Sequence, residues 1–151
     1  DMRALALDLL LEAERGTEYE NTLLKGTLDK YDYLNGRDKA FLKRLVDGVT
    51  ERRLQLDYVL EQFSSLPVRK MKPLIRCVLR MGAYQILFMD GVPDSAACNE
   101  AVKLANKRRF AQLSGFVNPV LRKLRSQKNA IVWQDRAKAP VRFLPVPYSM
   151  P

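Results

Sequence analysis

The stretch Pro73 to Asp90, PLIRCVLRMGAYQILFMD, most constrains what this chain can fold into. Drawn as a helix, it is apolar on almost every side. Leu74, Ile75, Val78, Leu79, Gly82 and Ile86 form one broad face, and Cys77, Met81, Tyr84 and Phe88 form another. Arg76 and Arg80, one turn apart, leave a narrow polar strip. A helix apolar nearly all round has to be covered by its neighbours, so this one is read as a buried central helix. Pro73 suits its first turn, where a missing N–H is not needed. Asp90-Gly91 followed by Pro93 reads as the stop, with Gly91 in a left-handed turn. The run is too short, and too interrupted by arginine, to span a membrane.

The flanking segments carry the 3.6-residue period that would cover such a helix. Met2 to Glu14 is rich in Ala, Leu and Glu, with Leu5, Leu7, Leu9, Leu10 and Leu11 available for burial. Arg15-Gly16 ends it. Glu12 and Glu14 read as part of a solvated acidic face. A second helix is expected over 20–31, followed by a turn at Asn35-Gly36. A third is expected over 37–52, with Phe41, Leu42, Leu45, Val46 and Val49 inward; Gly48 inside it points to a close approach of another helix. A fourth runs over 54–63. After the central helix, Asp94 is read as the N-cap of a sixth helix whose small residues Ala97, Ala101 and Ala105 suit tight packing. Ser114 is read as the cap of a seventh, over 115–126, in which Pro119 should cost a hydrogen bond or shift the start. No segment alternates at a strand's period, so the fold class is all-α. A chain of 151 residues fits one domain around one core.

Little catalytic chemistry is legible. The chain has no histidine, which removes the commonest general base and metal ligand. None of its seven glycines makes a G-x-G phosphate loop. No metal-ligand spacing is present. Cys77 and Cys98 read as reduced thiols in the core. With no signal-peptide pattern, a soluble cytoplasmic protein is expected.

Charge is more informative. The net charge is +9, but residues 1–35 carry eight acidic and four basic side chains, while 36–151 carry nine acidic and 22 basic. That asymmetry points to a polyanion, nucleic acid before membrane. The candidate RNA-binding residues are Arg52 and Arg53; Arg69, Lys70 and Lys72; Arg76 and Arg80; Lys103, Lys107, Arg108 and Arg109; and Arg122, Lys123 and Arg125. Phe110 and Phe116 are candidate stacking groups, Phe116 with a competing place in the core. Taken singly, each basic residue fits a solvated face or a helix-dipole partner as well as it fits RNA. Residues 128–151 differ from the rest: Pro140, Pro145, Pro147 and Pro151 make an extended linker-like tail that holds Trp133, Phe143 and Tyr148.

Three strings, RDKAFLKRLVDGVTERRLQLDYVL, KPLIRCVLRMGAYQILFMDGVPDSAACNEAVKLA and GFVNPVLRKL, resemble the NusB-like fold. They are most similar to the form found at the N-terminus of bacterial 16S rRNA cytosine-C5 methyltransferases of the RsmB (Sun, Fmu) family. The likeness runs in order over about residues 2–126. Val92-Pro93-Asp94 through Asn99-Glu100-Ala101-Val102, and Phe116-Val117-Asn118 with Val120-Leu121-Arg122, carry it most specifically and are shared with free-standing NusB. Gly48-Val49 with Arg52-Arg53 and Leu56-Asp57, and the tail ending Tyr148-Ser149-Met150-Pro151, lean toward the methyltransferase.

The resemblance implies a compact bundle of about seven helices over residues 1–127 that helps hold 16S ribosomal RNA, with 128–151 a linker. A downstream methyltransferase domain would bind S-adenosylmethionine and use cysteines in Pro-Cys and Thr-Cys contexts. Cys77 follows Arg76 and Cys98 follows Ala97, so this chain is expected to be inactive alone. Pro119 departs from the family pattern, and Asn99 and Asn118 are expected to brace helices. Two rival readings are a NusB-type antitermination factor, binding RNA with a small ribosomal protein, and a helical bundle that docks only proteins.

Overall fold

The structure, a computed structural model, describes residues 1–16, 35–108 and 111–131, together with Lys25, Gly26 and Asp29. Among the described residues there are six α-helices and no strand: α1 (Met2–Glu14), α2 (Gly36–Glu51), α3 (Arg53–Leu60), α4 (Pro73–Phe88), α5 (Asp94–Lys107) and α6 (Ala111–Ser126). Single 3-10 turns occupy Val68–Lys70 and Lys128–Ala130. The helix expected over 20–31 lies outside the described residues except for Lys25, Gly26 and Asp29, which are helical. No helix among the described residues is long and apolar enough to cross a membrane.

The apolar wheel of α4 has the consequence it demands. Its residues from Cys77 to Ile86 are all buried, and α4 packs against each of the other five helices. Pro73 opens it at the first position, as its fixed φ and missing N–H allow. The stop is made differently from the expected glycine turn. Among the described residues, the glycine with positive φ is Gly16, at +72°, and it ends α1. At the end of α4, Met89 is the cap, Val92 N–H returns to Met89 O at 3.0 Å, and Arg44 of α2 donates to Phe88 O at 2.5 Å. A cation reaching the last carbonyls does the work that a left-handed glycine would otherwise do.

Other helix ends also follow local chemistry. Asn35, expected in a turn, caps α2 by accepting Asp38 N–H at 2.8 Å, and Gly36 is the first helical residue. The cap expected at Asp94 falls instead on Pro93; Asp94 is inside the helix, and its carboxylate accepts from Lys128 at 2.9 Å. The seventh expected helix begins at Ala111, so Ser114 is interior to it and Pro119 sits within the helix. Val117, Val120, Leu121 and Leu124 are buried, whereas Gly115 and Pro119 are exposed. Water can therefore reach the carbonyl that the missing proline N–H leaves, and the packed face is undisturbed.

The close approach expected at Gly48 is there. A Cβ built on Gly48 would lie 2.1 Å from Tyr84 Cζ and 2.4 Å from Tyr84 Cε1. The Tyr84 ring is packed against α2 at this point and is flanked by Phe88 at a centroid distance of 5.4 Å. It has no room to yield. At Gly82, the corresponding neighbour is Leu121 Cδ1 at 2.7 Å, the methyl tip of a flexible, fully buried side chain rather than a rigid ring. Gly48→Ala is therefore expected to destabilise the domain by about 1–3 kcal/mol, the usual range for overpacking. Gly82→Ala should cost less. Denaturant midpoints at unchanged slope measure both.

Candidate nucleic-acid interface

The buried helix α4 carries two arginines, and their charges have to be met inside the fold. Arg80 is 8 % exposed. It donates to both oxygens of Asp57 on α3, Nε to Oδ1 at 2.7 Å and Nη2 to Oδ2 at 2.9 Å, and its Nη1 reaches Glu14 Oε2 at 3.2 Å. Arg76, one turn earlier, pairs in the same two-pronged way with Glu14 on α1, Nε to Oε2 at 2.8 Å, and also donates to Met71 O at 2.6 Å. Glu14, read from sequence as solvated, is thus a half-buried acceptor between two guanidinium groups. The signal for it was present: arginines spaced by four on an otherwise apolar helix need acceptors.

Titration behaviour follows from these contacts. Burial tends to raise the Glu14 carboxyl, but hydrogen bonds from Arg76 and Cys77 and the charges of Arg76 and Arg80 outweigh it, so Glu14 lies below the usual carboxylate range. Burial pushes Asp57 up despite the bonds from Arg80. Burial and the neighbouring Glu14 push the Cys77 thiol up to about 12; its Sγ donates to Glu14 Oε2 at 3.4 Å. It is a thiol, not a thiolate. Both cysteines are buried and free. Among the described residues no group of three or more His, Cys, Asp or Glu is arranged to hold a metal ion.

An open cleft of about 460 Å³ lies over this network, between the end of α1, α3, the turn at Val68–Lys70 and α4. Arg53, Arg69, Arg76, Arg80, Glu14, Asp57 and Glu61 line it, with Ala13 and Val68. Glu61 is occupied by the Val68 N–H at 2.9 Å.

The remaining basic residues fall into two places. Arg52 is half-buried, donating to Gln55 Oε1 at 2.9 Å and stacking over the Phe88 ring at 4.3 Å. Arg53, Arg69, Lys70 and Lys72 are exposed. The second group lies on the hairpin of α5 and α6, which pack on each other and are closed at one end by Asp94–Lys128. Lys103, Lys107, Arg122, Lys123 and Arg125 are exposed there. Lys103 contacts Glu100 at 3.4 Å, and Arg122 donates to Asn118 Oδ1 at 2.9 Å, an exposed contact within α6 itself. Burial raises the Cys98 thiol, and the charges of Arg122 and Arg125 partly offset that. Arg108 turns away to Asp8 of α1 at 2.7 Å. Arg109 and Phe110 lie outside the described residues. Phe116 is half-buried against the core.

The structure therefore divides the basic set. Arg80 is corrected from a surface contact to an internal ion-pair residue, because burial and two carboxylates occupy it. Arg76 is largely taken up in the same way.

The NusB family profile matches residues 1–126, a span that takes in all six helices described above. The chain belongs to the NusB family. Among curated proteins, this NusB-family chain is 35% identical over 150 residues to a probable ribosomal RNA small subunit methyltransferase B of Bacillus subtilis, covering 99% of this chain and 33% of that protein. A probable methyltransferase of the same name in Synechocystis is 36% identical over 121 residues, covering 80% of this chain and 27% of that one. The chain thus spans about a third of the length of these relatives. The transcription antitermination protein NusB of Pseudarthrobacter chlorophenolicus is 30% identical over 131 residues, covering 86% of this chain and 94% of that protein. Among solved structures, T. maritima NusB superposes with a TM-score of 0.74 at 26% identity, covering 83% of this chain and 89% of that one. NusB solved with NusE and dsRNA superposes with a TM-score of 0.74 at 22% identity, covering 83% and 93%.

Two outcomes follow from the ion-pair network. Arg80→Ala leaves Asp57 buried without its partner and is expected to cost about 3–5 kcal/mol, measured by chemical denaturation. The second concerns pH. A carboxyl held below its unfolded value contributes stability that is complete above that value, 4.5 for Glu14, and is lost as pH falls through the folded one. Glu14→Gln should therefore show a flatter loss of stability below pH 4.5 than the parent chain in acid titrations followed by circular dichroism.

Proposed function

We propose that this chain is the RNA-holding accessory domain of a 16S rRNA (cytosine-C5) methyltransferase. One observation carries the choice. The likeness to the Bacillus subtilis methyltransferase B extends over 150 residues at 35% identity, past residue 126 where the NusB profile ends. In this reading residues 1–127 form the RNA-holding domain and 128–151 lead to a catalytic domain. That domain supplies the chemistry and binds S-adenosylmethionine. The described part of the present chain offers arginines and carboxylates tied to one another, and no glycine-rich loop for such a cofactor. The reading places the protein in the cytoplasm, with its RNA.

The basic side chains of the α5–α6 hairpin are the grip. Phosphate contacts fix position and register, while shape or base contacts supply sequence preference. Lys103, Lys107, Arg122, Lys123 and Arg125 are exposed on one hairpin, so they can follow a backbone without disturbing the core.

A second reading is favoured by a different fact: the chain covers 94% of an antitermination NusB. A factor of that type would bind a short RNA element together with a small ribosomal protein. Binding of this chain to small-subunit ribosomal RNA segments across a salt series, beside a scrambled RNA, separates the two. The methyltransferase reading predicts saturable binding that prefers the ribosomal segment, needs no added protein and falls steeply with salt. Arg122→Glu with Lys123→Glu and Arg125→Glu should weaken it and lower the salt slope by roughly 0.7 for each phosphate that the variant no longer neutralises. Binding that arises only when a small ribosomal protein is added favours the second reading. Binding without salt dependence contradicts both and leaves a protein-docking bundle.

A further inference from the structure

We propose that the cleft between α1, α3 and the Val68–Lys70 turn is a separate phosphate-binding site, gripped by Arg53 and Arg69. It rests on the RNA-holding reading for the source of the phosphate, but it lies apart from the α5–α6 hairpin. What each lining charge is already doing decides which of them can take a ligand. Arg76 and Arg80 form the floor, and Glu14 and Asp57 hold them by paired hydrogen bonds. Glu61 accepts the Val68 N–H. Glu14 and Asp57 are thus committed to arginines in the wall, while Glu61 keeps its charge beside a neutral N–H. Arg53 and Arg69 are exposed at the rim and neither forms an ion pair among the described residues. The lining holds four arginines against three carboxylates, so positive charge is left over, and it is left at the mouth.

The cleft is open to solvent and measures about 460 Å³, room enough for a phosphate group. Guanidinium groups present paired donors that match the oxygens of a phosphate; those of the floor are spent on Glu14 and Asp57, and those of Arg53 and Arg69 are not in ion pairs. The floor cannot move up to the ligand, so the rim arginines make the contact. The ligand class is therefore a phosphate group, with the phosphodiester of single-stranded RNA as its source.

The test follows the arginine Nε–H resonances of the isotope-labelled full chain by NMR. It is titrated with inorganic phosphate, with an oligouridylate and with a polyglutamate peptide. The proposal predicts that Arg53 and Arg69 shift saturably with phosphate and with the oligouridylate, while Arg76 and Arg80 stay near their starting positions. It also predicts that Arg53→Gln with Arg69→Gln lowers the salt slope of RNA binding by roughly 0.7, the equivalent of one phosphate, with an unchanged melting temperature. Shifts with phosphate alone keep the site but assign it to free phosphate and overturn RNA as the source. Shifts with polyglutamate but not with the oligouridylate overturn the proposal in favour of an acidic protein partner. Unmoved Arg53 and Arg69 signals overturn it outright. If RNA still binds, and only the hairpin substitutions weaken it, the RNA-holding reading survives. If no RNA binds at all, that reading fails by itself.

Discussion

The charge of Arg80 in the middle of a buried helix is the constraint on which the rest of this fold depends. An ionised guanidinium cannot sit in a core without partners. Its partners come from two other helices, Asp57 from α3 and Glu14 from α1. Arg76 draws on Glu14 as well. One side of α4 is thereby tied to both neighbours at defined positions along their lengths. Toward the other end of α4, buried Gln85 completes the arrangement, accepting from Arg3 of α1 at 2.8 Å and donating to Met81 O at 2.9 Å. Apolar packing between α1 and α4 is tolerant of sliding; paired hydrogen bonds are not. Placement of the helices, more than net stability, is the contribution we assign to this network.

The same network decides how much of the basic composition faces outward. Arg76 and Arg80 are drawn into the fold, and Arg108 is drawn onto α1 through Asp8. Arg44 and Arg52 serve the end of α4, one on a carbonyl and the other on the Phe88 ring. Of the described candidate RNA-binding residues, those left outward lie on the α5–α6 hairpin and around the cleft. A polyanion would meet two separated basic regions joined by a neutralised interior, which suits an irregular RNA better than a flat, uniformly charged sheet would.

Much of this was legible in the residues. The all-round apolar pattern of 73–88 required a central helix, and the structure surrounds it on all sides. Gly48 on an otherwise regular amphipathic helix implied a close contact, and Tyr84 provides it. The errors share a physical cause: local signals yield to partners distant in sequence. Asp94 looked like a cap, but Lys128 claims its carboxylate. Asp90-Gly91 marked the stop of α4, which does end at Phe88, but Gly91 is not in the left-handed region, and Arg44, 44 residues before Phe88, donates to its carbonyl. Glu14 looked solvated because its partner lies 62 residues away. The helix expected over 115–126 starts earlier, at Ala111, and carries Pro119 inside it, sustained by the burial of Val117, Val120, Leu121 and Leu124. Counting basic residues in a sequence likewise could not show which of them the fold consumes.

The central claim is that the outward basic residues of the hairpin and the cleft rim hold RNA while the inward arginines build the fold. Photo-crosslinking of this chain to 4-thiouridine-substituted small-subunit ribosomal RNA, with adducts mapped by mass spectrometry, tests it most directly. The account predicts adducts on the peptides that carry Lys103 and Lys107, Arg122 to Arg125, and Arg53 or Arg69. Adducts confined to the exposed face of α2 around Lys43 and Arg44, with none on the hairpin or the rim, would contradict it.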